Sequence, residues 1–181
     1  MRRIYESSAL RRDDDAPFAP NERGGTQRPQ AARHVPATAI TNSLLPQWAR
    51  HRAVSVDVSV PREEFDTGDA VPFQVTMKNA MPFPVVIETE SAIQWTWNVE
   101  GHRDAAHVPL HDPPDEAGEI RFDRGERKRI RTRWDQMFRV SESEWEPATA
   151  GEYTIGAGIN VADSRGRGLY DDVTVRLVPP E

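Results

Sequence analysis

The chain contains no cysteine. Disulfides, zinc–thiolate centres and thiol nucleophiles are therefore excluded. Lysine is nearly missing too: the basic side chains are 21 Arg and two Lys, Lys78 and Lys128. No apolar run approaches the roughly 18 residues that a transmembrane helix needs. The first residues, MRRIYESSALRRDDD, carry charge but no apolar stretch, so they do not read as a secretory signal. No glycine-rich phosphate loop and no nucleophile-elbow serine is present. These absences describe a soluble cytoplasmic protein with no membrane partner and no recognisable cofactor motif.

What is present is charge, unevenly placed. Acidic residues outnumber basic ones, 29 to 23. An acid-rich, Lys-poor chain suits a very salty cytoplasm, where a Debye length of about 3 Å screens carboxylate repulsion. An acidic protein of a high-GC genome would look the same, because Arg codons are favoured there. Residues 1–52 carry a net charge of +4 and residues 53–181 one of −10. The basic part either reaches for an anionic partner or lies against its own acidic domain.

Residues 1–52 read as a flexible N-terminal arm. Arg11-Arg12-Asp13-Asp14-Asp15 is followed by Pro17, Pro20, Gly24-Gly25, Pro29 and Pro36. Large apolar residues are too sparse there to offset the entropy of ordering. Two pieces could dock: Ile4 with Tyr5, and Leu44, Leu45 and Trp48, one helical turn interrupted by Pro46.

From Ala53 the pattern changes to alternation between apolar and polar residues, the mark of half-buried strands. Val54, Val56, Val58 and Val60 form a first face, and Val71, Phe73, Val75 and Met77 a second. Pro72 puts the start of the second strand at an edge or a bulge, because proline cannot donate to a ladder. Further strands are expected at Val85–Thr89, at 93–99, at 120–122, at 128–134 and at 153–161, with Val173, Val175 and Leu177 closing the domain. Trp95, Trp97 and Trp134 fall in the inward phase. Seven or eight strands with turn signals every 8–14 residues, and no helix of ten residues, predict one domain over residues 53–181. Its expected fold is all-β, an immunoglobulin-like antiparallel β-sandwich with a disordered N-terminal arm.

Three phrases carry a family resemblance: FDTGDAVPFQVTMKN, RGERKRIRTRW and AGEYTIGAGINV. The shared order is a Gly-Asp turn and a Val-x-Phe-x-Val-x-x-x-Asn strand, here Gly68 to Asn79. Pro84-Val85 follows, then Gly125-Glu126 leading to a strand that ends at Trp134-Asp135. The last element is Ala150-Gly151-Glu152-Tyr153-Thr154-Ile155-Gly156-Ala157. Residues 65–161 thereby resemble the intracellular proteinase inhibitor (BsuPI-like) family, and the whole chain looks like an uncharacterised group of haloarchaeal proteins. The resemblance implies the sandwich fold and inhibition of an intracellular serine protease. It maps no inhibitory loop onto this chain, and the 102–119 insertion and the N-terminal arm depart from its pattern.

The residues offer little chemistry. His102, His107 and His111 cluster with Asp104, Asp112 and Asp115 on a Pro-containing loop. A metal-dependent enzyme would use such a loop. The spacing matches no metal signature, however, and an exposed loop with scattered histidines is the plainer reading. No catalytic residue and no metal ligand is assigned, and the chain is read as no enzyme.

The more suggestive surface is the strand 127–133. With Ile130 and Trp134 inward, Arg127, Arg129, Arg131 and Arg133 all face out, about 6.6 Å apart. If the strand 153–161 pairs with it, the neighbours are Thr154, Gly156, Gly158 and Asn160, none of them acidic. The arginines would then form an accessible shelf suited to carboxylates or phosphates. Alternatively Glu88, Glu90, Glu100 or the loop Ser141–Glu144 folds over and neutralises them. Nucleic acid is disfavoured by the acidic domain and by the lack of aromatics among these arginines. Trp145, within SESEWEP, is either a partner contact or a lid on one end of the sandwich. The expected function is a non-catalytic module that binds another cytoplasmic protein, a serine protease being the specific version. A structural accessory subunit of a larger complex is the alternative.

Overall fold

In the computed structural model, residues 46–109 and 116–180 are described. Residues 1–45 lie outside this range, and with them Ile4, Tyr5, Leu44 and Leu45; so does His111.

A five-residue helix, α1 (Gln47–His51), precedes the strands within the stretch read as an arm. His51 at its end is 6% exposed, and burial, then the Arg167 and Arg50 charges, hold its pKa below the usual value. Twelve strands follow among the described residues. They are β1 (Val54–Ser59), β2 (Glu64–Asp66), β3 (Val71–Asn79), β4 (Val85–Thr89), β5 (Trp95–Val99) and β6 (His102–Arg103). The rest are β7 (Gly118–Phe122), β8 (Arg127–Trp134), β9 (Met137–Arg139), β10 (Trp145–Pro147), β11 (Gly151–Ile159) and β12 (Tyr170–Val178).

The fold is an immunoglobulin-like β-sandwich, as the alternation predicts. One layer is the antiparallel sheet β1-β3-β8, the other is β2-β12-β11-β5-β6, and two ribbons, β4-β7 and β9-β10, complete the body. Among the described strands all pairings are antiparallel except β2 with β12, and an isolated bridge between Ala106 and Arg139 is also parallel. Inward residues of both layers meet in one core, in which Val71, Phe73, Val75, Met77, Trp134, Ile155, Ala157, Ile159, Val175 and Leu177 are all buried. Trp95 and Trp97 are half-buried against that core, and the Trp97 ring lies 5.3 Å from Phe73. The turn Glu100-Gly101 joins β5 to β6 with φ of 50° and 80°, the doubly left-handed geometry of a two-residue hairpin that glycine tolerates best.

Pro72 sits where β3 has run past the end of β1, whose last residue, Ser59, is paired with Gln74. Its missing donor is not needed there, in keeping with the local edge expected from the sequence.

The pairing imagined for the arginine strand is corrected. β8 does not pair with β11; it pairs with β3 along its whole length, while β11 lies in the opposite layer between β5 and β12. In a sandwich with crossing connections, strands close in sequence are routinely sent to different sheets. Gly156 and Gly158 therefore do not lie beside the arginines. They lie under Tyr170: a Cβ on Gly156 would come within 1.7 Å of the Tyr170 hydroxyl. That hydroxyl also bonds Asn98 at 3.2–3.3 Å, and the Arg165 guanidinium covers the ring at 4.3 Å. Gly156→Ala is accordingly expected to displace the ring and cost about 1–3 kcal/mol, read as a lower midpoint in urea unfolding with an unchanged slope.

Candidate functional site

The resemblance motifs turn out to hold the fold together. Asn79, the last residue of its motif, is fully buried. Its amide donates to the carbonyls of Phe83 and Asp123 and accepts from Met81 N–H, each at 2.9 Å. It thus ties the β3–β4 turn to the β7–β8 turn. Trp134 fills the core and donates through Nε1 to the Met137 carbonyl. Asp135 pairs with Arg133 at 2.9 Å. Tyr153 donates its hydroxyl to the Thr149 carbonyl four residues upstream, a tyrosine corner of the immunoglobulin type. Gln136 was not singled out from the sequence. It is 2% exposed, and its side-chain amide accepts from Gly68 N–H and donates to the Asp66 carbonyl. It thus joins the Gly-Asp turn to the end of β8. Its position directly after the Trp-Asp pair was the only sequence signal for this.

The four arginines do face outward. Arg127, Arg129, Arg131 and Arg133 are exposed, and the residues between them alternate inward. Across the ladder they meet Lys78, Thr76, Gln74 and Pro72, and beyond those Ser55, Asp57 and Ser59 of β1. Among the residues of β1, β3 and β8, five cations thus share this face with one carboxylate, Asp57. Arg133 is taken by Asp135, and Arg131 donates to Gln74 Oε1 at 3.2 Å. Arg127 and Arg129 have no hydrogen-bond or ion-pair partner among the described residues. Of the acids that could have covered them, Glu100 accepts from Thr154 N–H. The 141–144 turn closes on itself and on Arg139. A groove of about 290 Å³ runs beside Arg131, lined also by Val60, Pro61, Pro72 and Phe73.

The opposite face is of mixed sign. A shallow groove of about 970 Å³ is lined there by Arg62, Glu64, Glu152, Asp172 and Arg176, and Asp172 is paired with Arg165 at 2.6 Å. Glu63 lines it too, so the groove holds four acids and two arginines.

Trp145 stands on the exposed strand β10 and is itself 52% exposed. The Arg139 guanidinium lies 6.0 Å from its ring. It lines a cavity of about 290 Å³ with Trp97, Asp104, Arg133, Trp134 and Met137. The structure therefore joins Trp145 to the Arg133 end of the row, while Arg127 lies about 20 Å further along β8.

The described start of the histidine loop, residues 102–109, is less open than the sequence suggests, while Asp112 and Asp115 lie with His111 outside the described residues. Ala105 and Ala106 are buried, and Ala105 and His107 exchange backbone bonds with Arg139. His102 and His107 lie ring against ring at 4.2 Å, and His107 lies 4.9 Å from Phe138. Among the described residues no group of three or more His, Asp or Glu could hold a metal ion.

Asp104, in the same cavity wall, has φ of 50°, and its carboxyl is pushed up by burial against the opposing pull of Arg103. The folded state thus holds the proton more tightly than the unfolded chain, whose Asp titrates near pH ~3.9. This contribution to stability is present below that pH and is lost as pH rises through the folded pKa. Asp104→Asn, which keeps a residue tolerant of positive φ, is expected to raise Tm at pH 7 by on the order of 1–2 °C. The gain should vanish as the pH approaches 4, in a pair of thermal melts.

No helix among the described residues is long and apolar enough to cross a membrane. A comparison with curated proteins returns no match. The CARDB domain of a Pyrococcus furiosus protein, crystallised in complex with di-metal ions, is 14% identical over 70% of this chain and 94% of its own, with a TM-score of 0.43. The solution NMR structure of the same domain is 14% identical over 71% of this chain and 96% of its own, with a TM-score of 0.44. The β-glucosidase EmGH1 of Erythrobacter marinus is 12% identical over 69% of this chain but only 15% of the enzyme, with a TM-score of 0.43. None of these likenesses carries an activity over to this chain. The profile described as "Family of unknown function (DUF7974)" matches residues 42–178, and the chain belongs to that family.

Proposed function

We propose that this protein is a non-catalytic module that binds another protein through the outer face of β8, with Arg127, Arg129, Arg131 and Arg133 as the contact row and Trp145 at its Arg133 end. The observation that carries this reading is the exposed row itself, in which Arg127 and Arg129 have no ion-pair or hydrogen-bond partner among the described residues. Like charges held about 6.6 Å apart on one face repel one another. An acidic partner would relieve that repulsion, and guanidinium groups meet carboxylates through two parallel hydrogen bonds. Trp145 adds the type of half-exposed aromatic anchor that concentrates binding energy. The roles of Asn79 and Trp134 in the core and of Tyr153 in its corner leave the resemblance motifs as fold-holding residues, which favours a surface-based function over a catalytic one.

Inhibition of an intracellular serine protease is the specific form of this proposal, and it rests on the resemblance of residues 65–161. The test is affinity capture from native cells with the wild-type chain and with Arg129→Glu/Arg131→Glu, followed by mass spectrometry. A stoichiometric partner held by the first and lost by the second supports the module. A partner retained equally by both removes β8 from the account. Recovery of a serine protease whose activity falls on adding the wild-type chain would support the specific form.

A further inference from the structure

The register of β8 says more than which side chains face out. Asn79 N–H donates to the Glu126 carbonyl at 2.9 Å, immediately beyond the Lys78–Arg127 pair. Hydrogen-bonded and non-bonded pairs alternate along an antiparallel ladder. Lys128, Ile130, Thr132 and Trp134 therefore turn their backbone groups toward β3. Arg127, Arg129, Arg131 and Arg133 turn theirs away from it.

β8 is an outer strand of its sheet, in the order β1-β3-β8. Its eight residues make no backbone bond beyond β3 among the described residues. Other edges are treated differently. On β1, the Val58 N–H is capped by the Asp171 carboxylate of β12 at 2.8 Å. β2 and β6 have only three and two residues. The long open edge and the arginine row thus fall on the same four residues, of which Arg127 and Arg129 have no side-chain partner among the described residues.

We infer that β8 accepts an extended segment of a partner protein as an added strand, and that the segment carries Asp or Glu at every second position. This deepens the reading of β8 as the binding face and rests on it. In an added antiparallel strand, the residue opposite each arginine exchanges backbone hydrogen bonds with it, and its side chain lies on the same face as the guanidinium. Acids at positions i, i+2 and i+4 of the segment meet Arg133, Arg131 and Arg129 in turn. A second copy of this chain is a poor occupant through the same strand, since antiparallel β8–β8 pairing would set arginine beside arginine. Charged edge strands commonly resist such self-pairing, which leaves this edge selective for an acidic strand.

The test uses the full chain and three synthetic heptapeptides. The first alternates Glu with Thr or Val, the second has the same composition with its Glu residues contiguous, and the third is the alternating peptide N-methylated at the amides that would face β8. Affinity is read by fluorescence anisotropy, and amide hydrogen exchange is read by NMR. The inference predicts that the alternating peptide binds at least tenfold more tightly than either of the others. It also predicts slowed exchange at Arg129 and Arg131 N–H, with Ile130 and Thr132 unchanged. Equal binding of the N-methylated peptide without that protection would overturn strand addition and leave the arginine face as an acid-binding surface. If no acidic peptide bound, and Arg129→Glu/Arg131→Glu still bound the captured partner as the wild type does, both readings would fall.

Discussion

Replacing Asn79 by Ala is expected to lower the stability of the sandwich by about 3–5 kcal/mol. The side chain is fully buried and makes three hydrogen bonds of 2.9 Å to two different turns. Each bond contributes on the order of 1 kcal/mol net, and each buried partner left unmatched adds a penalty of about 1–3 kcal/mol. Water entering at the surface end of the turns recovers part of this, so the sum lies below the simple total. At about 3–4 °C per kcal/mol for a domain of this size, Tm falls by roughly 9–20 °C. Asn79→Asp does not rescue the loss, because it removes the donor to Phe83 and Asp123 and buries a charge. Thermal and urea unfolding of the two variants checks this. A loss under about 1 kcal/mol for Asn79→Ala would mean that the strand-ending Asn is not the tie between the turns.

Arg129→Glu combined with Arg131→Glu is expected to weaken binding of an acidic partner by on the order of 100-fold while leaving Tm within about 2 °C of wild type. The two parts of that expectation have different causes. Both side chains are exposed, and among the described residues the only bond lost is that from Arg131 to Gln74. The exchange also breaks up a row of like charges, so folding loses little. Binding loses two attractive pairs and gains two repulsive ones. At roughly 1–1.5 kcal/mol for each reversed position, the sum is about 2–3 kcal/mol, or on the order of 100-fold. Raising the salt should shrink the difference between wild type and variant, because exposed pairs are screened within a few ångströms at molar ionic strength. Calorimetric titration at two salt concentrations, alongside melts of both proteins, separates these effects.

The long strands were legible because burial on one face forces alternation. β1, β3, β4, β8, β11 and β12 sit within a few residues of the runs that show it. The short elements were not. β2 buries only Phe65, β10 is exposed at all three positions, and a three-residue strand is too short for a period to register. Outward orientation of the four arginines followed from phase alone. Their neighbours did not, because phase says nothing about which strand lies alongside, and β3 rather than β11 took that place. Asn79 and Gln136 were equally hidden. A polar side chain reveals its burial only through partners far along the chain, such as Asp123 for Asn79 and Gly68 for Gln136. The Trp145 cavity has the same character, since its walls come from β5, β8, β9, β10 and the turn after β6.

The claim that β8 is the binding face can be tested by contact rather than by loss. A photo-crosslinking amino acid is placed at position 129 in one variant and at position 174, exposed on β12 of the opposite layer, in another. Both are irradiated in native cells. The account predicts a discrete crosslinked partner from position 129 and none from position 174. A partner crosslinked from position 174 and not from position 129 would contradict it.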